Sequence, residues 1–173
     1  MLSIIYPPEP GTKEELNDFL ATIKQYDNRL IPEELQESCD SGMEDLMAKY
    51  LLGYGIHISI QEAKETRRRP VKIIGILKNY FNRGRPDELA REYNIDWNDD
   101  YLESAQTSSY PSGHTIQAYY LAGVLGKSHP EHQENLFIIA AMVAQSRIDR
   151  GVHFPSDVEY GKIIAIELLN QLD

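Results

Sequence analysis

"SSYPSGHTIQAYYLAGVLG", Ser108–Gly126, carries the chain from an irregular polar run into an apolar helix. A helix start needs one capping side chain, and Ser112 supplies it. Pro111, Gly113 and His114 are then surplus to capping. Amides at a helix start carry the positive end of the helix dipole and favour an anion, and glycine lets that anion come close to the backbone. Ser112 adds a hydroxyl donor, and His114 in the first turn is placed to hand such an anion a proton. Read alone, the same residues also make an ordinary N-cap beside a solvated histidine.

Working outward, helical spacing dominates. Three helices are predicted at about 113 to 127, 131 to 147 and 155 to 171. Upstream, Leu16, Phe19, Leu20, Ile23 and Tyr26 recur at helical spacing after Thr12, a capping residue. "PEELQESCDSGMEDLMAKYLLGYG" reads as one or two helices, interrupted near Asp40 to Gly42 and ended by Gly53 and Gly55. "PVKIIGILKNYFN" starts on Pro70 and presents Ile73, Ile74, Leu77 and Phe81 on adjoining faces. The one β-rich run, "GIHISI" at Gly55–Ile60, has no partner strand of comparable quality. The expected fold is therefore all-α: one helical bundle spanning 1–173, with N-terminal helices over about 1–69 and a motif-bearing core over about 70–173. The segment from Asn82 to Pro111 reads as a long irregular connection, and such loops often carry function.

Composition limits the function classes. A net charge of -10 argues against general nucleic-acid binding and against attraction to anionic membranes, so any anion site must be local. Cys39 is the only cysteine, which excludes an internal disulfide and reads as a spectator thiol. The N-terminus lacks the pattern of a secretory signal, and the longest apolar run, Leu136 to Ala144, is too short to span a membrane. A soluble protein of the cytoplasm, without stable membrane insertion, is expected.

Two further constellations carry chemistry. In "SRIDRGVHFPSD", His153 stands just before a helix start and Asp157 four residues on. A carboxylate there can accept from one imidazole nitrogen, fix the tautomer and leave the other nitrogen free as a nucleophile. Arg147 precedes the turn at Gly151 and can fold back as a bidentate donor to phosphoryl oxygens. In "KNYFNRGRP", Lys78 ends a helix and Arg85 is kept extended by Pro86, so the two cations can converge on one anion. Each block has a blander reading, as a surface His-Asp pair or as cations at a helix end. Trp97, Tyr101 and Tyr110 either line a substrate mouth or pack the long loop down; "TRRRP" at 66–70 reads as a solvated corner; His57, His129 and His132 read as surface or capping residues.

Taken in order, the blocks K-x-x-x-x-x-x-R-P, P-S-G-H and S-R-x-x-x-x-x-H-x-x-x-D resemble the signature of the type 2 phosphatidic acid phosphatase and vanadium haloperoxidase superfamily, and "SYPSGHT" is most similar to the bacterial class A non-specific acid phosphatases. Asp87 after the R-P pair departs from that group, where an apolar residue is common. The resemblance implies a phosphatase acting on small phosphate esters, phosphomonoesters first and diphosphates second. His153 would be the nucleophile, Asp157 its orienting carboxylate and His114 the acid and base. Lys78, Arg85, Ser112, Gly113 and Arg147 would hold the phosphoryl oxygens. It implies no metal and no cofactor, with phosphate or vanadate able to occupy the site. Two rivals are a vanadate-dependent haloperoxidase and a non-catalytic phosphate-binding module; the latter is disfavoured because His153, His114 and Asp157 are all present. Oligomeric state is left open by the sequence, a homo-oligomer included.

Overall fold

The computed structural model describes residues 2–97, 100 and 102–172, and among them only helices, turns and irregular segments occur. The helices are α1 (Lys13–Asp27), α2 (Glu33–Ser41), α3 (Met43–Leu52), α4 (Ile60–Arg68), α5 (Val71–Phe81), α6 (Pro86–Glu92), α7 (Gly113–Ser128), α8 (Gln133–Asp149) and α9 (Pro155–Leu169). Short 3-10 turns stand at Glu103–Ala105 and Pro130–His132.

α7 is apolar around its circumference, which suits burial on all sides. It packs most extensively against α8 and α9. The main core joins Met43, Met47 and Leu51 of α3 to Ile116 and Leu121 of α7, Leu136 and Val143 of α8, and Ile164 of α9. Gly161 lets α9 close on the start of α7: a Cβ there would stand 3.0 Å from the Ser112 carbonyl oxygen and 3.2 Å from Thr115 Cβ. A second, smaller cluster of Phe19, Leu89, Ala90 and Phe154 ties α1 and α6 to the residue that precedes α9.

The expected all-helical fold and the long helices are present, and the chain breaks between α2 and α3 at Gly42. Residues 55–60 form no strand; Ser59 instead caps α4, its hydroxyl accepting from the Glu62 amide at 3.3 Å. Two helices were not expected from the sequence. α4 is short and polar, burying only Ala63 and Thr66, so it lacks an apolar stripe to announce it. α6 occupies part of the segment read as irregular; Pro86 starts it, and Glu88 closes back on the Arg85 amide at 3.2 Å. Tyr110 is buried and stacked on Tyr160 at 5.0 Å, and Trp97 packs against Phe19 and Tyr26, so both hold the loop down rather than line a mouth. Tyr101 lies outside the described residues.

Candidate active site

Four helix ends meet at one end of the bundle: the C-termini of α5 and α8 and the N-termini of α7 and α9. The α8 end is a Schellman motif. Gly151 takes φ 70°, its amide bonds to the Ile148 carbonyl at 2.9 Å, and the Val152 amide bonds to the Arg147 carbonyl at 3.2 Å. That closure fixes Arg147 and His153 relative to each other. At the α5 end, Asn82 takes the left-handed conformation and turns the chain away after Lys78. Its amide bonds to the Lys78 carbonyl at 2.9 Å.

His153 is 2% exposed. Its Nδ1 lies 2.9 Å from Asp157 Oδ2, so Nδ1 carries the proton and donates it to the carboxylate. Nε2 is then the acceptor atom, and it faces Arg85, whose guanidinium nitrogen stands 3.5 Å away. Burial, then the charges of Arg85, Lys78 and Arg147, hold His153 well below the usual histidine range, which keeps the ring neutral. Asp157 also serves α9 as an N-terminal cap, Oδ2 accepting from the Phe154 amide at 2.9 Å. One carboxylate thus starts the helix and orients the imidazole.

The cations are each held by protein oxygens. Arg85 Nε donates to Thr107 O at 2.7 Å and its NH1 to Val152 O at 2.6 Å. Lys78 Nζ donates to Ser108 O; burial, then the charge of Arg85, pushes its pKa down to about 7. Arg147 is fully buried, donating from NH1 to Asp40 Oδ1 at 2.6 Å and from NH2 to Ser104 Oγ at 3.2 Å. Its Nε is buried with no acceptor among the described residues. Ser112 caps α7 as read, its hydroxyl oxygen accepting from the Thr115 amide at 3.4 Å and from the Thr115 hydroxyl at 2.9 Å, while its amide donates to Asp157 O at 3.0 Å. Gly113 rests against Ile74 and Lys78.

All eight residues singled out in the sequence come together here. His114 has an environment the sequence did not announce. Its Nε2 donates to Asp40 O at 2.9 Å and lies 3.4 Å from Asp40 Oδ1. Burial, then Arg147, lowers its pKa to about 3, with Asp40 opposing. Asp40 itself titrates below the ordinary range: burial works against ionisation, but Arg147, Ser104 and His114 outweigh it.

Sequence reasoning missed Asp40 and Ser104, which touch Arg147, and Arg83 and Asp18, which stand behind Asp157. Arg83 lay inside the quoted "KNYFNRGRP"; two arginines around a glycine were the available signal. Asp18 and Asp40 gave none, being acids on amphipathic helices far away in sequence. His57 is exposed, and His132 is buried with Nδ1 3.0 Å from the Tyr50 hydroxyl, both away from this cluster.

In sequence the chain is similar to acid phosphatases. The chain is 29% identical over 136 residues to an acid phosphatase of Zymomonas mobilis, which covers 75% of this chain and 51% of that protein. It is 27% identical over 170 residues to a non-specific acid phosphatase of Salmonella typhimurium, covering 91% of this chain and 68% of the relative. The chain therefore spans about half the length of the first of these relatives and about two thirds of the second. Its fold is similar to the crystal structure of a transmembrane PAP2 type phosphatidylglycerolphosphate phosphatase from Bacillus subtilis, with a TM-score of 0.58 at 23% identity over 94% of this chain and 88% of that one. No helix among the described residues is long and apolar enough to cross a membrane. Residues 69–170, which carry all three motif blocks, match the family model of the PAP2 superfamily, and the chain belongs to that family.

Proposed function

We propose that the chain is a phosphatase that hydrolyses phosphomonoesters in solution, without a metal ion, through a phosphohistidine on His153. The observation that carries this reading is the neutral His153 with Nδ1 on Asp157 and Nε2 turned toward Arg85 inside a shell of cations. In that form the Nε2 lone pair is the nucleophile. It attacks phosphorus, the bond from phosphorus to the ester oxygen breaks, and the leaving oxygen takes a proton from His114. Water then attacks the phosphohistidine, giving a proton to His114, and phosphate leaves. Arg85, Lys78, Arg147, the Ser112 hydroxyl and the Gly113 amide hold the three remaining phosphoryl oxygens. The unpartnered Arg147 Nε is a donor suited to one of them.

His114 at about 3 is neutral in the free enzyme, so the acid must be made on binding. A phosphoryl anion close by supplies the opposite charge that raises its proton affinity. A monoester arriving as the monoanion brings the proton with it.

The test is turnover of a chromogenic phosphate ester in EDTA, followed by rapid acid-free quench and peptide mapping. The expected results are full activity with the chelator, inhibition by vanadate, and label on His153 that disappears in His153→Ala. Activity lost to EDTA and restored by magnesium, or label on His114, contradicts the reading. Bromide oxidation on adding vanadate and peroxide, without ester turnover, selects the haloperoxidase.

A further inference from the structure

α1 lies outside residues 69–170, the stretch that matches the family, yet it reaches the back of the catalytic cluster. Asp18 Oδ2 stands 2.9 Å from Arg83 NH2, and Asp18 Oδ1 accepts from the Ser156 amide at 3.1 Å. Arg83 NH1 donates to Asp157 Oδ1 at 2.8 Å and to Ser156 Oγ at 2.7 Å, and the Ser156 hydroxyl passes its own proton's hydrogen bond to Asp18. The guanidinium lies over the Phe154 ring, 3.9 Å from its centroid. The Arg83 and Asp18 side chains are only 7% and 9% exposed. A closed series therefore runs from His153 through Asp157 and Arg83 to Asp18 on α1.

We infer that Arg83 and Asp18 are positioning residues for the reaction proposed above, holding the Asp157 carboxylate ionised and in register with His153. The oxygen accounting supports this. Asp157 Oδ2 is taken by His153 Nδ1 and the Phe154 amide, and Oδ1 has Arg83 as its close donor, Ser109 Oγ standing off at 3.5 Å. A carboxylate this dry resists ionisation: burial raises the pKa of Asp157, and Arg83 is the largest influence against it. With Arg83 gone the carboxyl holds its proton to higher pH, and where it does so Nδ1 loses its charged acceptor and the nucleophilic tautomer of His153 is no longer fixed. The other charged and titratable groups facing Asp157 are His153, Lys78 on α5 and Tyr110, with Asp18 acting across the guanidinium. Asp18 is needed for a separate reason. Lys78, Arg85 and Arg147 already crowd positive charge around His153, and Asp18 balances Arg83 and fixes its plane against Phe154. The guanidinium bridges the two carboxylates, NH1 on Asp157 and NH2 on Asp18, a fork that a single ammonium does not reproduce.

A mere staple between α1 and α9 would lower stability and leave the proton chemistry alone. The inference rests on the phosphatase reading, and wild-type turnover separates the two: no ester hydrolysis by the wild type sinks that reading, whereas the following tests require an active wild type or none at all. In Arg83→Met, the acid limb of the kcat/KM profile should move up by about one pH unit or more, the size of an opposite charge lost beside a carboxylate. Arg83→Lys should keep the limb near its wild-type position while losing rate, and Asp18→Asn should lose roughly tenfold in kcat with little change in KM. In an Asp157→Asn background, Arg83→Met should have almost no further effect on kcat. Independently of turnover, the downfield proton resonance of His153 Nδ1–H should be present in the wild type and lost in Arg83→Met. Should Arg83→Met fail to fold, Arg83→Lys and Asp18→Asn carry the test through kcat, and wild-type kcat in both overturns the inference; the remaining outcomes refer to Arg83→Met. An unmoved acid limb with a retained resonance, or an equal loss in the Asp157→Asn background, overturns the inference.

Discussion

Asp40 puts a negative charge beside the proposed phosphate-binding cations, where an anion site gains nothing from one. Its carboxylate is 2.6 Å from Arg147, a residue proposed to bind the substrate's anionic oxygens, and its main-chain oxygen holds the His114 ring. The two contacts pull in opposite directions. The carboxylate neutralises part of the Arg147 charge, which weakens anion binding, but it raises the proton affinity of His114 against burial. Asp40→Asn should therefore bind inorganic phosphate and vanadate more tightly while hydrolysing alkyl phosphates more slowly, by roughly 100-fold, the low end of what a general acid contributes. An activated phenyl ester, whose leaving group needs no proton, should be nearly spared. Weaker phosphate binding, or equal losses on both esters, would show that Asp40 does nothing but orient Arg147. Such roles were hidden in the sequence because spacing reports only local neighbours. His153 and Asp157 sit four residues apart and their pairing is legible; Asp40 meets Arg147 across 107 residues, and only the fold brings them together.

At the scale of elements, legibility followed apolar content. α1, α5, α7, α8 and α9 bury enough side chains to set a helical period, and the starts of all but α8 are marked, by Thr12, Pro70, Ser112 and Pro155. α4 buries only Ala63 and Thr66, and α6, at 7 residues, is too short to set a period; both are held by caps and neighbours. Four of the legible helix ends carry the site, so the site inherits their packing. A close main-chain approach at the site is at Gly161, where α9 meets the first turn of α7 beside the bond from the Ser112 amide to Asp157 O. Gly161→Ala puts a methyl group against the Ser112 carbonyl oxygen, which as main chain cannot swing aside. The expected cost is about 1–3 kcal/mol of stability, the range for overpacking a tight contact. Catalysis should fall with it, because parting α7 from α9 separates the Gly113 amide, proposed to bind a phosphoryl oxygen, from His153, the proposed nucleophile. Urea unfolding and kcat, measured on one preparation, check both; wild-type values for the pair would mean the helices have slack there.

For the whole molecule, the site sets how stability responds to acid. His114, at about 3, and His153, well below the usual range, both stay neutral in the folded chain as pH falls from 7. In the unfolded chain each takes up a proton near pH ~6.5, so below that value the unfolded state binds more protons and stability drops with falling pH. The limiting slope is about 1.4 kcal/mol per pH unit for each such histidine. Asp157 works the other way: its folded pKa is raised, so once pH falls through that pKa the folded form gains from protonation. One carboxylate against two histidines leaves a net loss. Asp40, held below the ordinary range, contributes stability that is lost only in stronger acid, below about pH 4. The melting temperature should therefore fall steadily between pH 6.5 and 4.5. His114→Asn, which removes one of the two histidines, should make that fall shallower. Saturating inorganic phosphate should flatten it further, because an anion beside Arg147, Arg85 and Lys78 offsets the positive charge that, after burial, keeps the rings neutral, Arg147 acting on both. Calorimetric scans of the two proteins across that range, with and without phosphate, decide the matter. A wild-type melting temperature that holds level down to pH 4.5, or a His114→Asn profile parallel to it, would mean that these histidines are not the groups whose burial the fold sustains.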